Sequence, residues 1–379
     1  MKIHNFDVAD FLQNIWQQKP LVIRQGFERV DWLEPDDLAG LACEDGVESR
    51  IILNKQGAWS VEHGPFSERR FSSLPEKDWT LLVQAVDQWV PEVSEILQCF
   101  DFLPSWRLDD IMVSYAPIGG TVSQHFDFYD VFLIQGEGSR RWQIGQVCDA
   151  SSALLPDTPV KILQDFEVSM EVTLEPGDIL YIPARFAHYG VSVEDSLTYS
   201  VGFRAPGIRD MVDGICTAAL EGLPDDRRYQ DTPDSLRASS GEIPASAVEQ
   251  VRQMLLSALS QPALIQDWLG AFVTERKYPD AERVFSDGGD FIDRLPEEAL
   301  LRAPGSRFAY MSGSNPLQAR LFVDGEGYSC SLSLANYLAE AKVLEAGELL
   351  RFYQEPESRR CLEALLASGA LVFEADLYD

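Results

Sequence analysis

The stretch from Gln124 to Gly145, QHFDFYDVFLIQGEGSRRWQIG, constrains this chain more than any other. Polar and aromatic residues alternate along its first half, and Gly136-Glu137-Gly138-Ser139 supplies a hairpin turn before the second. On a strand, residues i, i+2 and i+4 share one face. That spacing places His125, Asp127 and Tyr129 together and sends Phe126 and Phe128 to the opposite, buried side. An imidazole beside a carboxylate is two thirds of an iron site.

The surrounding pattern is that of a β-rich domain. Short apolar segments separated by Gly and Pro turns run from Arg107 to Phe203: 110–115, 127–135, 140–145, 169–174, 178–183 and 197–203. At least six such strands suit a sandwich or barrel. Before them lies a preface: a helix over Val8–Trp16 ended by Lys19-Pro20, a strand at Leu21–Ile23, a helix in EPDDLAGLA, and strands at 50–53 and 58–61 around Lys55-Gln56-Gly57. Trp79–Trp89 reads as a further helix. After Pro206 the strands stop, and helices are predicted over 211–223, 248–259 and 265–273. The last part alternates helices at 296–301, 334–344 and 359–368 with strands at 308–311, 319–323 and 370–374, which suits a small winged-helix-like module.

The predicted architecture is therefore mainly β with α: a barrel domain with its preface (1–205), a helical region (206–275) and a winged-helix-like C-terminal domain (276–379). A length of 379 residues allows about two to three domains.

With 31 Lys+Arg against 61 Asp+Glu, the net charge is −30, which opposes binding to phosphate backbones or anionic membranes and favours a basic partner. Beyond Pro279 there are 18 acidic against nine basic residues, so that module is not expected to contact nucleic acid. No run of 18 apolar residues occurs, and the six cysteines are dispersed without a CxxC. The expected compartment is the cytoplasm.

Only four histidines are available to complete a two-histidine, one-carboxylate facial triad: His4, His63, His125 and His188. His188 follows the turn-and-strand segment EPGDILYIPARFAH and stands at a barrel rim, whereas His63 belongs to a turn and His4 to the terminus. Arg140 returns on the strand after the hairpin with Trp142 on its side and Arg141 on the other. Its planar fork suits a carboxylate, and beside the triad it predicts a dicarboxylate co-substrate.

HFD, Arg140, His188 within reach of EPGDILYIP, the KPLVI entry and the trailing YSVGFRAP together closely resemble the JmjC-type 2-oxoglutarate oxygenases. More narrowly, the chain resembles the bacterial ribosomal oxygenases, which hydroxylate an arginine of the large-subunit ribosomal protein numbered sixteen. The resemblance implies a double-stranded β-helix (cupin/JmjC) barrel, a helical dimerisation region and homodimers. It implies Fe(II) on His125, Asp127 and His188, 2-oxoglutarate with its distal carboxylate on Arg140, and O2. Many JmjC enzymes carry lysine where Arg140 stands. Ser114 and Ser200 are candidates to assist Arg140, since each shares inward parity with small or polar neighbours. At the mouth, Asp110 suits a guanidinium, with Met112 and Tyr129 packing along the side chain. Asp109 and Asp130 point away and are read as structural. Two other readings remain open: a cupin-type regulatory metal-binding protein and a small-molecule isomerase.

Overall fold

The computed structural model describes residues 1–377 apart from 225, 234, 238, 240, 280–282 and 286–290. The chain forms two compact units, Met1–Ala205 and Pro206–Asp379.

The first unit contains α1 (Val8–Asn14), β1 (Leu21–Ile23), α2 (Pro35–Leu41), β2 (Ser49–Lys55), β3 (Ala58–His63), α3 (Glu68–Ser72), β4 (Trp79–Val83), α4 (Pro91–Leu97) and β5 (Leu108–Ala116). There follow β6 (Val131–Glu137), β7 (Arg140–Val147), β8 (Met170–Leu174), β9 (Ile179–Ile182), β10 (Phe186–Ser192) and β11 (Ser196–Phe203). They make an eight-stranded sheet in the order β1-β9-β6-β11-β5-β4-β2-β3 and a three-stranded sheet β10-β7-β8. Val131 and Leu133 of the large sheet share one apolar cluster with Trp142, Ile144 and Leu174 of the small one, so the two sheets close over a common interior as a double-stranded β-helix.

Both faces of the large sheet are covered. Ile111, Val113, Phe132, Tyr181, Tyr199 and Phe203 point outward into a second core beneath the N-terminal elements. Phe11 of α1 meets Phe132 and Tyr181 there at ring separations of 5.6 and 5.0 Å. Asp7 caps α1 by accepting from the backbone N–H of Asp10. The alternate residues of β5 and β11 face the barrel interior. This two-sided burial explains why β9 reads as an unbroken apolar run.

The same effect corrects one expected helix. Trp79–Val83 is the fully buried strand β4, followed by a short 3-10 turn at Val86–Gln88, because a short apolar run fits a covered strand as well as a buried helix. A second correction concerns the hairpin. The strand expected from Asp127 begins at Val131, and His125 makes only an isolated bridge. A third adds β10: the strand is expected to end at Pro183 with His188 following it, whereas His188 lies on a strand of its own. The tight turn between β6 and β7 depends on Gly138, whose φ is +57°; a Cβ there would stand 1.9 Å from the Asp195 carbonyl oxygen.

The second unit contains α5 (Ile208–Gly222), α6 (Ala245–Leu259), α7 (Pro262–Thr274), α8 (Phe291–Arg294), β12 (Leu300–Arg302), β13 (Phe308–Ser312), β14 (Gln318–Val323) and β15 (Glu326–Ser331). It ends with α9 (Leu332–Glu340), α10 (Ala346–Tyr353), α11 (Pro356–Ala367) and β16 (Leu371–Phe373). β13-β14-β15 form an antiparallel sheet and β12 pairs with β16. α7 lies against that sheet: Gly270 abuts the Phe322 ring, and Thr274 accepts from the Gly325 N–H at 3.2 Å. The helix expected over 296–301 is a turn leading into β12, and α10 and β15 were not foreseen.

Candidate active site

The strand parity of the HxD segment does not build the site; a backbone bridge does. His125 and His188 exchange both main-chain hydrogen bonds, N to O at 3.0 and 2.8 Å, although 63 positions separate them. The imidazoles consequently lie side by side, centroids 4.2 Å apart and planes tilted by 59°. Asp127 is held by its own carbonyl, which accepts from the Arg185 N–H at 2.6 Å. One potential ligand atom from each of His125, Asp127 and His188 lies within 4.8 Å of the others.

The tautomers follow from the partners. Nδ1 of His125 lies 2.9 Å from the Ser123 carbonyl, and Nδ1 of His188 lies 3.0 Å from that of Phe186. A carbonyl can only accept, so each Nδ1 carries the proton and each Nε2 keeps its lone pair. Those Nε2 atoms stand 3.9 and 3.7 Å from the same Asp127 oxygen. Burial pushes the His188 imidazole well below the ordinary histidine pKa, and His125 adds to the effect while Asp127 opposes it. A neutral ring at pH 7 is the form a metal takes. The donor set, two neutral imidazoles and one carboxylate on one side, fits a divalent iron.

Arg140 enters the interior from β7 and is 6% exposed. Its Nη1 donates to Ser114 Oγ at 3.0 Å and its Nη2 to Ser196 Oγ at 3.1 Å, and Ser196 meets Ser192 at 2.8 Å. Ser114 therefore stands where it was expected. Ser200 does not touch Arg140; it faces Met112 on β5 and Leu133 on β6, closer to the mouth. The missed partner, Ser196, has the same strand parity as Ser200 and was legible as a candidate on that ground alone. Among the described residues no carboxylate pairs with the guanidinium, and its Nε is buried with no acceptor. Burial lowers its pKa to about 10, which leaves the group charged at neutral pH. A buried, unpaired cation is costly, so an anion fits this cradle.

The three residues expected at the mouth gather beside this site in different states. Asp110 is 5% exposed, and one of its oxygens accepts from the Ala85 N–H at 2.9 Å, which fixes the orientation of the carboxylate. Met112 is half-buried on the same face of β5. Tyr129 exposes 43% of its surface, yet its hydroxyl end lies deeper: burial raises the phenol pKa above its ordinary value, and the Asp127 and Asp110 carboxylates raise it further. Phe126 packs against Cys148, Leu163 and Ala187, but Phe128 is 57% exposed and not on a buried face as expected. Asp130 is fully buried and accepts from Tyr181 and Gln17, while Asp109 pairs with Arg204, which agrees with their structural reading.

Comparison with known proteins gives consistent likenesses. Residues 95–211 match the JmjC domain family, and residues 256–372 match the ROXA-like winged helix. The chain is 38% identical to ribosomal protein uL16 3-hydroxylase of Escherichia coli K12, over 96% of this chain and 97% of that one. It is also 38% identical to a probable ribosomal oxygenase of Haemophilus influenzae, over 92% and 86%. Among solved structures, that of E. coli ycfD superposes with a TM-score of 0.89 at 34% identity, covering 99% of this chain and 100% of the other. The ribosomal oxygenase YcfD in complex with cobalt and 2-oxoglutarate superposes at 0.85 and 32% identity, over 98% and 99%.

Proposed function

Because the chain belongs to the ribosomal oxygenase family of JmjC-domain proteins, we propose that it is an Fe(II)- and 2-oxoglutarate-dependent hydroxylase of an arginine side chain, at C3, in ribosomal protein uL16. The observation that carries this reading is the buried, unpaired Arg140 inside the same barrel as the His125, Asp127 and His188 cluster. A metal-binding regulator or a small-molecule isomerase has no use for a sealed cation of that kind.

His125, Asp127 and His188 hold the metal, and the Nδ1 bonds to Ser123 and Phe186 keep both rings aimed at it. Arg140 receives the distal carboxylate of 2-oxoglutarate, steadied by Ser114 and Ser196. With iron and O2, bound 2-oxoglutarate supplies the oxidation that turns an unactivated C–H into C–OH while the co-substrate leaves as succinate and carbon dioxide. The residues of the chain position that C–H and exclude water. Asp110 pairs with the substrate guanidinium, and Met112 and Tyr129 flank its alkyl stem. Ser200, opposite Met112, lines the same approach.

The remaining assignments follow the same reading. The segment 206–275 serves as the dimerisation region and 276–379 as a winged-helix domain that supports substrate binding without contacting nucleic acid. Val251 and Leu255 of α6 support a homodimer, being 45% and 58% exposed on a helix that offers them no cover, whereas Trp268 stacks on Phe272 within the unit. Among the described residues no helix is long and apolar enough to cross a membrane, and a ribosomal-protein substrate points to the cytoplasm.

The test is anaerobic reconstitution with Fe(II), then oxygen-dependent succinate production with and without uL16, read by peptide mass. The expected product is an arginine peptide heavier by one oxygen that disappears in His188→Ala. Succinate no higher than in that variant overturns the reading. Asp110→Ala should raise the peptide KM with 2-oxoglutarate binding intact.

A further inference from the structure

A second buried donor stands beside Arg140 on the same face of β7, and among the described residues none accepts from it. Trp142 is 5% exposed, and its indole Nε1 is closed off from water without an acceptor. A buried N–H left unpaired costs free energy, so a retained one calls for a partner from outside the fold. The position of this ring is built rather than incidental. Arg140, Trp142 and Ile144 face Ser192, Gly190 and His188 across the β7–β10 ladder, so Trp142 sits one two-residue step from the guanidinium toward the His188 end. That step is about 6.6 Å along the strand. The opposing residue is glycine: a Cβ at Gly190 would lie 2.7 Å from two atoms of the indole ring. The absent side chain lets the indole lie against β10, with its centroid 6.2 Å from that of His188.

Arg140 and Trp142 thus each carry a buried N–H without an acceptor, two residues apart on one face of β7. Ser114 and Ser196 take one hydrogen bond each from the outer nitrogens of the guanidinium, and the nitrogen left without an acceptor is Nε, the one nearest the β7 backbone. An anion drawn to Nε is drawn toward β7. There the next inward side chain presents the second vacant N–H. We propose that Trp142 is a co-substrate-binding residue whose indole N–H donates to the distal carboxylate of 2-oxoglutarate alongside Arg140. This rests on the reading of the site as a 2-oxoglutarate enzyme. A carboxylate offers two oxygens with room for several donors, so one neutral and one charged donor can share it. The neutral donor adds direction where the guanidinium adds charge.

The test uses the full-length protein with Zn(II) in place of iron, so that no turnover occurs. Titration calorimetry compares 2-oxoglutarate with 2-oxopentanoate, which keeps the keto acid but lacks the distal carboxylate. In Trp142→Phe the affinity for 2-oxoglutarate is expected to fall about tenfold, with that for 2-oxopentanoate and for the metal unchanged. In wild-type protein labelled with 15N at tryptophan, one indole proton absent from the Trp142→Phe spectrum should move downfield on adding 2-oxoglutarate, a readout that does not depend on how the variant packs. Equal affinity in variant and wild type, equal weakening toward both ligands, or an unmoved indole proton each overturns the proposal. Wild-type protein that binds no 2-oxoglutarate at all would instead defeat the functional reading beneath it.

Discussion

Single side chains in this site differ in what their removal should do. His188→Ala takes away a neutral, buried ligand and should abolish stoichiometric metal binding, measured by the visible absorption of added Co(II). Ser196→Ala leaves one Arg140 donor without its acceptor but keeps the charge. It should weaken 2-oxoglutarate binding by about three- to tenfold, the size of one hydrogen bond. Arg140 also sets a pH dependence whose sign is fixed by burial. On the proposed function its charged form binds the 2-oxoglutarate dianion, and burial has brought its pKa down to about 10. Affinity should be complete below that value and be lost as pH rises through it, with no change around neutrality. A 2-oxoglutarate Kd that varied between pH 7 and pH 8 would show that another group controls binding.

Elements hold the site through a few buried polar contacts. Asp178, in the Glu175-Pro176-Gly177-Asp178 turn before β9, is 3% exposed and accepts from the backbone N–H groups of Gln25 and Glu175 as well as from Arg24. It ties the edge strand β1 to the turn, and β1 pairs with β9. Asp178→Ala should cost about 2–4 kcal/mol, seen as a lowered Tm with the isolated C-terminal unit's signal unaffected. Two predicted helices, over 79–89 and 296–301, turned out to be strands wholly or in part. Over 79–83 a short apolar run met the helical period by chance, and burial on two faces removed the alternation that marks a strand; 296–301 is a turn that enters β12 only at Leu300.

At the scale of the whole molecule, charge and exposed apolar surface dominate. A net charge of −30 should accelerate encounter with a basic ribosomal protein. Raising ionic strength from low to physiological should therefore reduce kcat/KM for uL16 by about tenfold, while kcat at saturating substrate holds. The exposed Val251 and Leu255 give the second prediction. Leu255→Asp should convert a dimer to a monomer in light scattering, and wild-type protein that is already monomeric would remove the dimer from the functional scheme.

The residues by themselves determined the kind of chemistry. Four histidines, one HxD pair and one inward arginine on the returning strand left few ways to assemble a metal site, and alternation within β5, β7 and β11 identified the interior face. What joins His125 to His188 was not legible, because their bridge is a pairing between distant backbone segments outside the regular part of one strand. The choice of Ser196 over Ser200 depended on cross-strand register, and the seating of Asp110 on the Ala85 N–H depended on a turn from another element. Local sequence carries side-chain type and periodicity. Which of several equivalent positions meets a given atom is decided only when strands far apart in the chain are brought into register.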